Sequence, residues 1–345
     1  MFVIDALGVA IGVEVSSHAA ESDLRADWTR CLTERSPQQQ IHLASTTESV
    51  ATDLRYRLST EVIQRAIEGR AGELLMLHAA GLSDAHGRVT AMIAASGTGK
   101  TTAVRRLGEK FGYVTDELIG IDPKLAVYGV PRPLSVVPRQ RSSGTEKVSV
   151  RVDALRPHPS ILQLGRLLLL DRDDTHFGPI MVENLLGIDA VKALIPHCCA
   201  LPALAKPLQF LAQVIGTAGL RRVRYREADD LAALLNQDDG WPRDAVSHSH
   251  QTWRTVSSTR THGPGWRRNQ VDDVLACGGE ALLLVGAQPI HLSALGLAVW
   301  EALGRSGDLD AIVASVVATF GPAPEARDVV LQALVTLRDA GAVSH

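Results

Sequence analysis

Residues 91–102 read AMIAASGTGKTT: an apolar run opens into Ser96-Gly97-Thr98-Gly99-Lys100-Thr101-Thr102, and a helical pattern, TTAVRRLGEKFG at 101–112, begins at once. Strand, glycine loop and helix in that order make a phosphate-binding device. The glycines let the backbone turn and aim N–H groups at phosphoryl oxygens, and the start of the helix adds its positive dipole. Against the general pattern GxxxxGK[ST], Ala94 stands at the first glycine and the remaining positions fit. Lys100 is then the charge that reaches the β and γ phosphates, and Thr101 offers its hydroxyl to Mg²⁺. A glycine-rich turn with a solvated lysine is the plainer alternative. The loop specifies ATP or GTP with Mg²⁺, and leaves open what is done with it.

Working outward from the loop, apolar strand runs alternate with helical patterns between 61 and 236, which predicts an α/β fold. Asp116 and Glu117 end the short strand Tyr113–Thr115, which the parallel-sheet rule places near the phosphates. Asp171 ends the run LLLL at 167–170 and is a second candidate for holding Mg²⁺, with Asp173 and Asp174 close behind. His78 lies in the apolar run before the strand that feeds the loop, where hairpin pairing would bring it beside the phosphates. A structural histidine, and acids that only cap or solvate strand ends, are the bland alternatives.

The chain has 345 residues, enough for about two domains. With 46% hydrophobic and 21% charged residues it is neither disordered nor collagen-like. A formal net charge of −3 gives no general attraction to a polyanion, so no nucleic-acid partner is expected. No stretch approaches the roughly 18–20 uncharged apolar residues of a membrane helix, and the N-terminus lacks a basic leading segment. We expect a soluble, cytoplasmic protein with no membrane partner and four reduced thiols, Cys31, Cys198, Cys199 and Cys277. The predicted organisation is a small strand-rich region over 1–60, an α/β domain over 61–236, a flexible linker over 237–265 and a compact block over 266–345. In that block a strand pair and the segment Pro289–Leu292 precede three helical patterns, with Trp300 and Phe320 expected in its core. His248 and His250 read as solvated linker residues, and Arg222, Arg224 and Arg226 as an exposed strand face.

The combination of His78, ASGTGKTT and GYVTDE resembles the HPr kinase/phosphorylase family, whose kinase fold is similar to that of phosphoenolpyruvate carboxykinase. Those enzymes carry a histidine at the head of a strand, a GxSGxGK[ST] loop and an acidic pair beyond it. The resemblance implies that Asp116 takes the proton from a substrate hydroxyl and that His78 orients or tunes it. Ala94 and Glu117 depart from the family's Gly and Asp, and its later Glu-containing signature is not found. HPr as substrate and the reverse phosphorylase activity are therefore not implied. GVPRPLSV at 129–136 is similar to a divergent HPr-kinase-related group (the kinase A type), which implies a phosphate contact for Arg132; a Pro-bracketed surface turn is the alternative. Such enzymes often form rings, so a homo-oligomer is compatible.

Residues 266–345 resemble PqqD-like domains through Asp272-Asp273-Val274, the run from Ile290 to Glu301 and the closing Ala340–Val343. This implies a winged-helix-like module that takes a leader peptide as an added strand. Five arginines against nine carboxylates give this block a net charge of −4, contrary to a DNA-binding winged helix. The expected activity is transfer of the ATP γ-phosphoryl group to a Ser or Thr hydroxyl of a ribosomally made peptide. An ATP-gated peptide-delivery ATPase or adaptor, and a small-molecule kinase acting for example on free serine, are the alternatives.

Overall fold

The computed structural model describes residues 1–44, 52–95, 98–136, 148–236 and 252–345. The chain packs as two units: Met1–Leu185 with His197–Ala200 and Ala218–Arg243, and Leu186–Pro196 with Leu201–Thr217 and Asp244–His345. The predicted α/β character holds in both.

In the first unit, strands β1 (Phe2–Ala6) and β2 (Val9–Val15) form a hairpin, and β3 (Gln39–Leu43) adds parallel to β2. Helix α1 (His18–Asp27) follows the hairpin, and α2 (Thr52–Arg70) buries Leu54, Leu58, Val62 and Ala66 in the same core. These four recur every fourth residue, the spacing that gives a helix one apolar stripe. Helix α2 runs through residue 60, so the strand-rich start and the segment after it share a helix.

A nine-stranded mixed sheet forms the rest of this unit. Its order is β12 (Met181–Leu185), β14 (Leu220–Tyr225), β11 (Gln163–Arg172), β5 (Arg88–Ile93), β4 (Leu75–Ser83), β7 (Leu118–Ile121), β8 (Val127–Tyr128). Strands β6 (Gly112–Thr115) and β13 (Cys198–Cys199) also pair with β4. Strands β9 (Leu134–Val136) and β10 (Val148–Val150) pair antiparallel as a separate two-stranded sheet. Strands β5, β11 and β14 are mutually parallel, and helix α3 (Lys100–Leu107) follows β5 through the glycine loop. Ala103, Val104 and Leu107 of α3 pack with Leu168, Leu170, Val223 and Tyr225, which fixes the sheet face that the helix covers. Strands β4 and β5 form the expected hairpin, closed by the Asp84 carboxylate, which accepts the His86 and Arg88 N–H groups at 2.8 and 2.9 Å. Helix α6 (Asp230–Leu235) ends the unit's described part.

In the second unit, α4 (Gly187–Leu194) and α5 (Pro207–Ala218), which lie within the 61–236 stretch, group with the C-terminal block, apart from Ala218. The block itself follows its predicted plan. Strands β15 (Arg254–Thr255), β17 (Asp273–Cys277), β18 (Glu280–Val285) and β19 (Gln288–Leu292) form an antiparallel sheet in that order. Helices α7 (Ala294–Leu303), α8 (Leu309–Phe320) and α9 (Ala326–Asp339) cover a core centred on the fully buried Trp300. Strand β16 (Arg267–Arg268) pairs with β20 (Val343–Ser344) after Gly341, whose positive φ of 77° turns the chain beyond α9.

Two expectations are corrected here. Phe320 is 53% exposed at the last position of α8 and is not a core residue. The linker does not extend to 265: Arg254–Thr255 pairs with β17, Val256 is buried, and the Ser257 carbonyl accepts the Trp300 indole N–H at 3.2 Å. No disulfide joins the four cysteines, and among the described residues no helix is long and apolar enough to cross a membrane.

The buried Asp273 carboxylate joins β17 to α5. It accepts the backbone N–H groups of Leu208 (2.9 Å) and Gln209 (3.1 Å), the Gln209 side-chain amide (3.0 Å) and its own neighbour Val274 N–H (2.9 Å). Leu208 and Gln209 lie in the first turn of α5, where N–H groups have no intrahelical acceptor. Asp273→Ala strands these donors, so we expect a loss of about 2–4 kcal/mol in urea unfolding, with Asp273→Asn recovering part of it.

Candidate functional site

Strand β4 organises the site. Its first half, Leu75–His78, pairs with β7, and its second half, Gly81–Ser83, pairs with β6 along the same edge. Asp116 and Glu117 form the break between β6 and β7. Thr115 Oγ1 accepts both the Glu117 and Leu118 N–H groups at 3.3 Å, and the Glu117 carbonyl accepts the Ala79 N–H at 3.0 Å. Because β5 and β6 both run antiparallel to β4, they run the same way, and the glycine loop and the acidic pair leave the sheet at the same end.

At the loop, Gly99 takes a left-handed φ of 99°, and among the described residues no side chain caps the start of α3. The buried Lys100 ammonium donates to the carbonyls of Ala94 (2.6 Å) and Ala95 (3.1 Å). Thr98 Oγ1 donates to Ala95 O at 2.7 Å, and Thr102 points to solvent. Ser96 and Gly97 lie outside the described residues, as do His248 and His250.

Thr101 Oγ1 donates to Asp116 Oδ2 at 3.2 Å, tying the first turn of α3 to the acidic pair. Arg132 meets both acids: its Nε lies 3.2 Å from Asp116 Oδ1, and its Nη2 pairs with Glu117 Oε2. Its Nη1 donates to Ser59 Oγ on α2, and its carbonyl accepts the Tyr113 hydroxyl at 2.9 Å. Arg132 is buried, so the surface-turn reading is set aside, and its guanidinium meets two carboxylates and the Ser59 hydroxyl.

Burial pushes the Asp116 carboxyl above the ordinary carboxylate range, against the opposing pull of Arg132 and the Thr101 hydroxyl. A carboxylate held this way is a stronger proton acceptor than one in water. His78 is shifted below the ordinary histidine range, first by burial and then by the Lys100 charge. His197, which the sequence offered no motif to find, is shifted the same way by burial, Lys100 and His78. Pairing of Cys198 with Leu77 carries His197 to the ladder position opposite His78. Both shifts favour the neutral ring, and a group with a lowered folded pKa withdraws stability as pH falls through its ordinary value near 6.5.

Asp171 is not brought to this cluster. Leu168 and Leu170 face α3, so strand alternation turns Asp171 to the opposite face, where its carboxylate pairs with Arg224 at 3.0 Å. Asp173 accepts from Thr175, and Asp174 pairs with Arg172 at 2.9 Å. Of the acids considered for metal, Glu117 alone belongs to this cluster, through Arg132 and its neighbour Asp116, which meets Thr101. Arg222 pairs with Glu183, and Arg226 lies over the Phe177 ring.

An uncapped helix start, a buried lysine and a glycine at positive φ fit a nucleotide's phosphates. Among the described residues no group of three His, Cys, Asp or Glu side chains is placed to hold a metal. Mg²⁺ does not need one, because it keeps waters and phosphate oxygens and uses one or two protein ligands, which Thr101 and a neighbouring carboxylate would supply. Compared with protein-family models and with curated proteins, the chain matches none.

Arg132→Ala removes the only guanidinium contact described for the buried Asp116 carboxylate, so we expect a loss of about 3–5 kcal/mol at neutral pH, read by urea unfolding. A carboxyl with a raised folded pKa withdraws stability as pH rises through that value, so the deficit should shrink on acidification. Adding Asp116→Asn should restore much of the loss at pH 7.

Proposed function

We propose that this chain is a phosphate-loop kinase that transfers the γ-phosphoryl group of ATP to a Ser or Thr hydroxyl of a peptide captured by its C-terminal block. The observation that carries the reading is the contact of Thr101, at the start of the loop helix, with the buried, Arg132-paired Asp116. A phosphate site and a desolvated base are thereby within one hydrogen bond of each other, as phosphoryl transfer to a hydroxyl requires.

The start of α3 and the Lys100 ammonium bind the triphosphate; leaving the Ala94 and Ala95 carbonyls frees that ammonium for phosphoryl oxygens. Thr101 and Glu117 are the residues that would hold Mg²⁺, which would supply charge neutralisation at the phosphates. Release of the Thr101 hydroxyl leaves Asp116 Oδ2 open to the acceptor. That carboxylate takes the hydroxyl proton as the acceptor oxygen bonds to the γ-phosphorus and the bond to the β-phosphate oxygen breaks, giving a phosphate ester and a nucleoside diphosphate. Arg132 and Tyr113 hold Asp116 in register, and neutral His78 adds no further positive charge beside Lys100.

For the peptide, β19 is the outer strand of the four-stranded sheet and offers an edge for strand addition, with α7 following it directly. Pro289, which has no N–H to give a neighbour, is tolerated on such an edge. Tethering would hold the captured peptide at an effective concentration of about millimolar near the kinase site.

The test is intact-mass analysis of the peptide encoded beside the gene after incubation with ATP and Mg²⁺. One added phosphate is expected, abolished by Lys100→Ala, lost with ATP binding retained in Asp116→Asn, and diminished by His291→Pro on the β19 edge. ATP consumption without a peptide mass change would refute peptide phosphorylation in favour of a small acceptor or an ATPase switch.

A further inference from the structure

Arg172 and Tyr225 are ladder partners at the C-terminal ends of the parallel strands β11 and β14. Tyr225 packs in the core shared with α3, and strand alternation sets Arg172 on the same face. Both meet the loop at Gly99. A methyl group on that glycine would lie 3.6 Å from Arg172 Cδ, 3.7 Å from Tyr225 Oη and 3.9 Å from Arg172 Nη1. Tyr225 is 1% exposed, and its hydroxyl, buried in that wall, has no hydrogen-bond partner among the described residues. Buried hydroxyls are nearly always paired, so an orphan at a loop built for a ligand marks a contact the ligand completes. Arg172 is held from behind, with Nε on the Arg226 carbonyl at 3.2 Å and Nη2 on Asp174 at 2.9 Å, which leaves Nη1 as the nitrogen nearest Gly99.

We infer that Arg172 and Tyr225 form a second wall of the nucleotide site and donate hydrogen bonds to the phosphate chain from the side opposite Asp116. The chemistry selects the phosphates over the base: a guanidinium, a phenolic O–H and a helix N-terminus are all positive or donor groups and converge on an anion. Gly99 supports this twice, since its φ excludes ordinary side chains and its missing Cβ leaves the gap open. This inference rests on the nucleotide-binding reading and adds to it two residues that no loop motif includes.

The test is calorimetric titration of the full-length protein and of Arg172→Met, Tyr225→Phe and the double variant, with Mg·ATP, tripolyphosphate and adenosine as probes. We expect the Kd for ATP to rise about 10-fold or more in Arg172→Met and about 3–10-fold in Tyr225→Phe, with parallel losses for tripolyphosphate. The melting temperature of Tyr225→Phe should stay level or rise, because the deleted hydroxyl has no partner to lose. A parent that binds ATP while both variants bind it equally well overturns this inference alone. Losses confined to ATP and adenosine, with tripolyphosphate unaffected, overturn the phosphate assignment. A parent that binds none of the probes overturns the nucleotide reading itself.

Discussion

The guanidinium of Arg132 lies between Asp116 and Glu117, with its carbonyl on the Tyr113 hydroxyl and its outer nitrogen on Ser59 of α2. Burial and the neighbouring Glu117 charge both raise the proton affinity of Asp116, and Arg132 opposes them. A single planar cation with several donors lets both remain close to the loop helix. It does so from outside the sheet, on a segment reached after β8, and it draws in α2. The small N-terminal sheet and its helices are therefore part of what supports the acidic pair.

The geometry beneath this pair is a property of β4. One strand nine residues long serves four neighbours, and each change of neighbour falls at a residue of the candidate cluster. On one edge the switch from β6 to β7 exposes Asp116 and Glu117; on the other, β5 ends and releases the glycine loop while β13 brings up His197. Strand pairing with β4 brings the glycine loop, the two histidines and the acids to one end of the sheet.

The second unit follows a different logic. Its core is closed around Trp300, and the buried Asp273 carboxylate replaces the missing acceptors at the start of α5. The strand that carries that carboxylate lies in the same sheet as the open edge β19. Helix α5 and the C-terminal strands therefore belong to one packed body, although α5 ends at Ala218 and β17 begins only at Asp273.

Local sequence was sufficient wherever structure follows from period and punctuation. The strand, loop and helix at 91–107, the β4–β5 hairpin and the three-helix plan after Leu292 were all legible, because apolar spacing and glycine placement act over a few residues. Lys100, Thr101 and Asp116 were legible as candidates for the same reason, and the structure places Thr101 against Asp116. Other features exist only through contacts between distant segments: Arg132 as the partner of both acids, the opposite-face position of Asp171, His197 beside His78, and Arg172 with Tyr225 against Gly99. A strand's register and the face it presents are decided by pairing with neighbours far away in the chain, and a shift of one residue reverses every side chain. The sequence alone determined which chemical groups are present and which short elements carry them. Only the tertiary structure decided which of those groups meet, because burial and pairing are properties of the packed sheet and not of any segment in it.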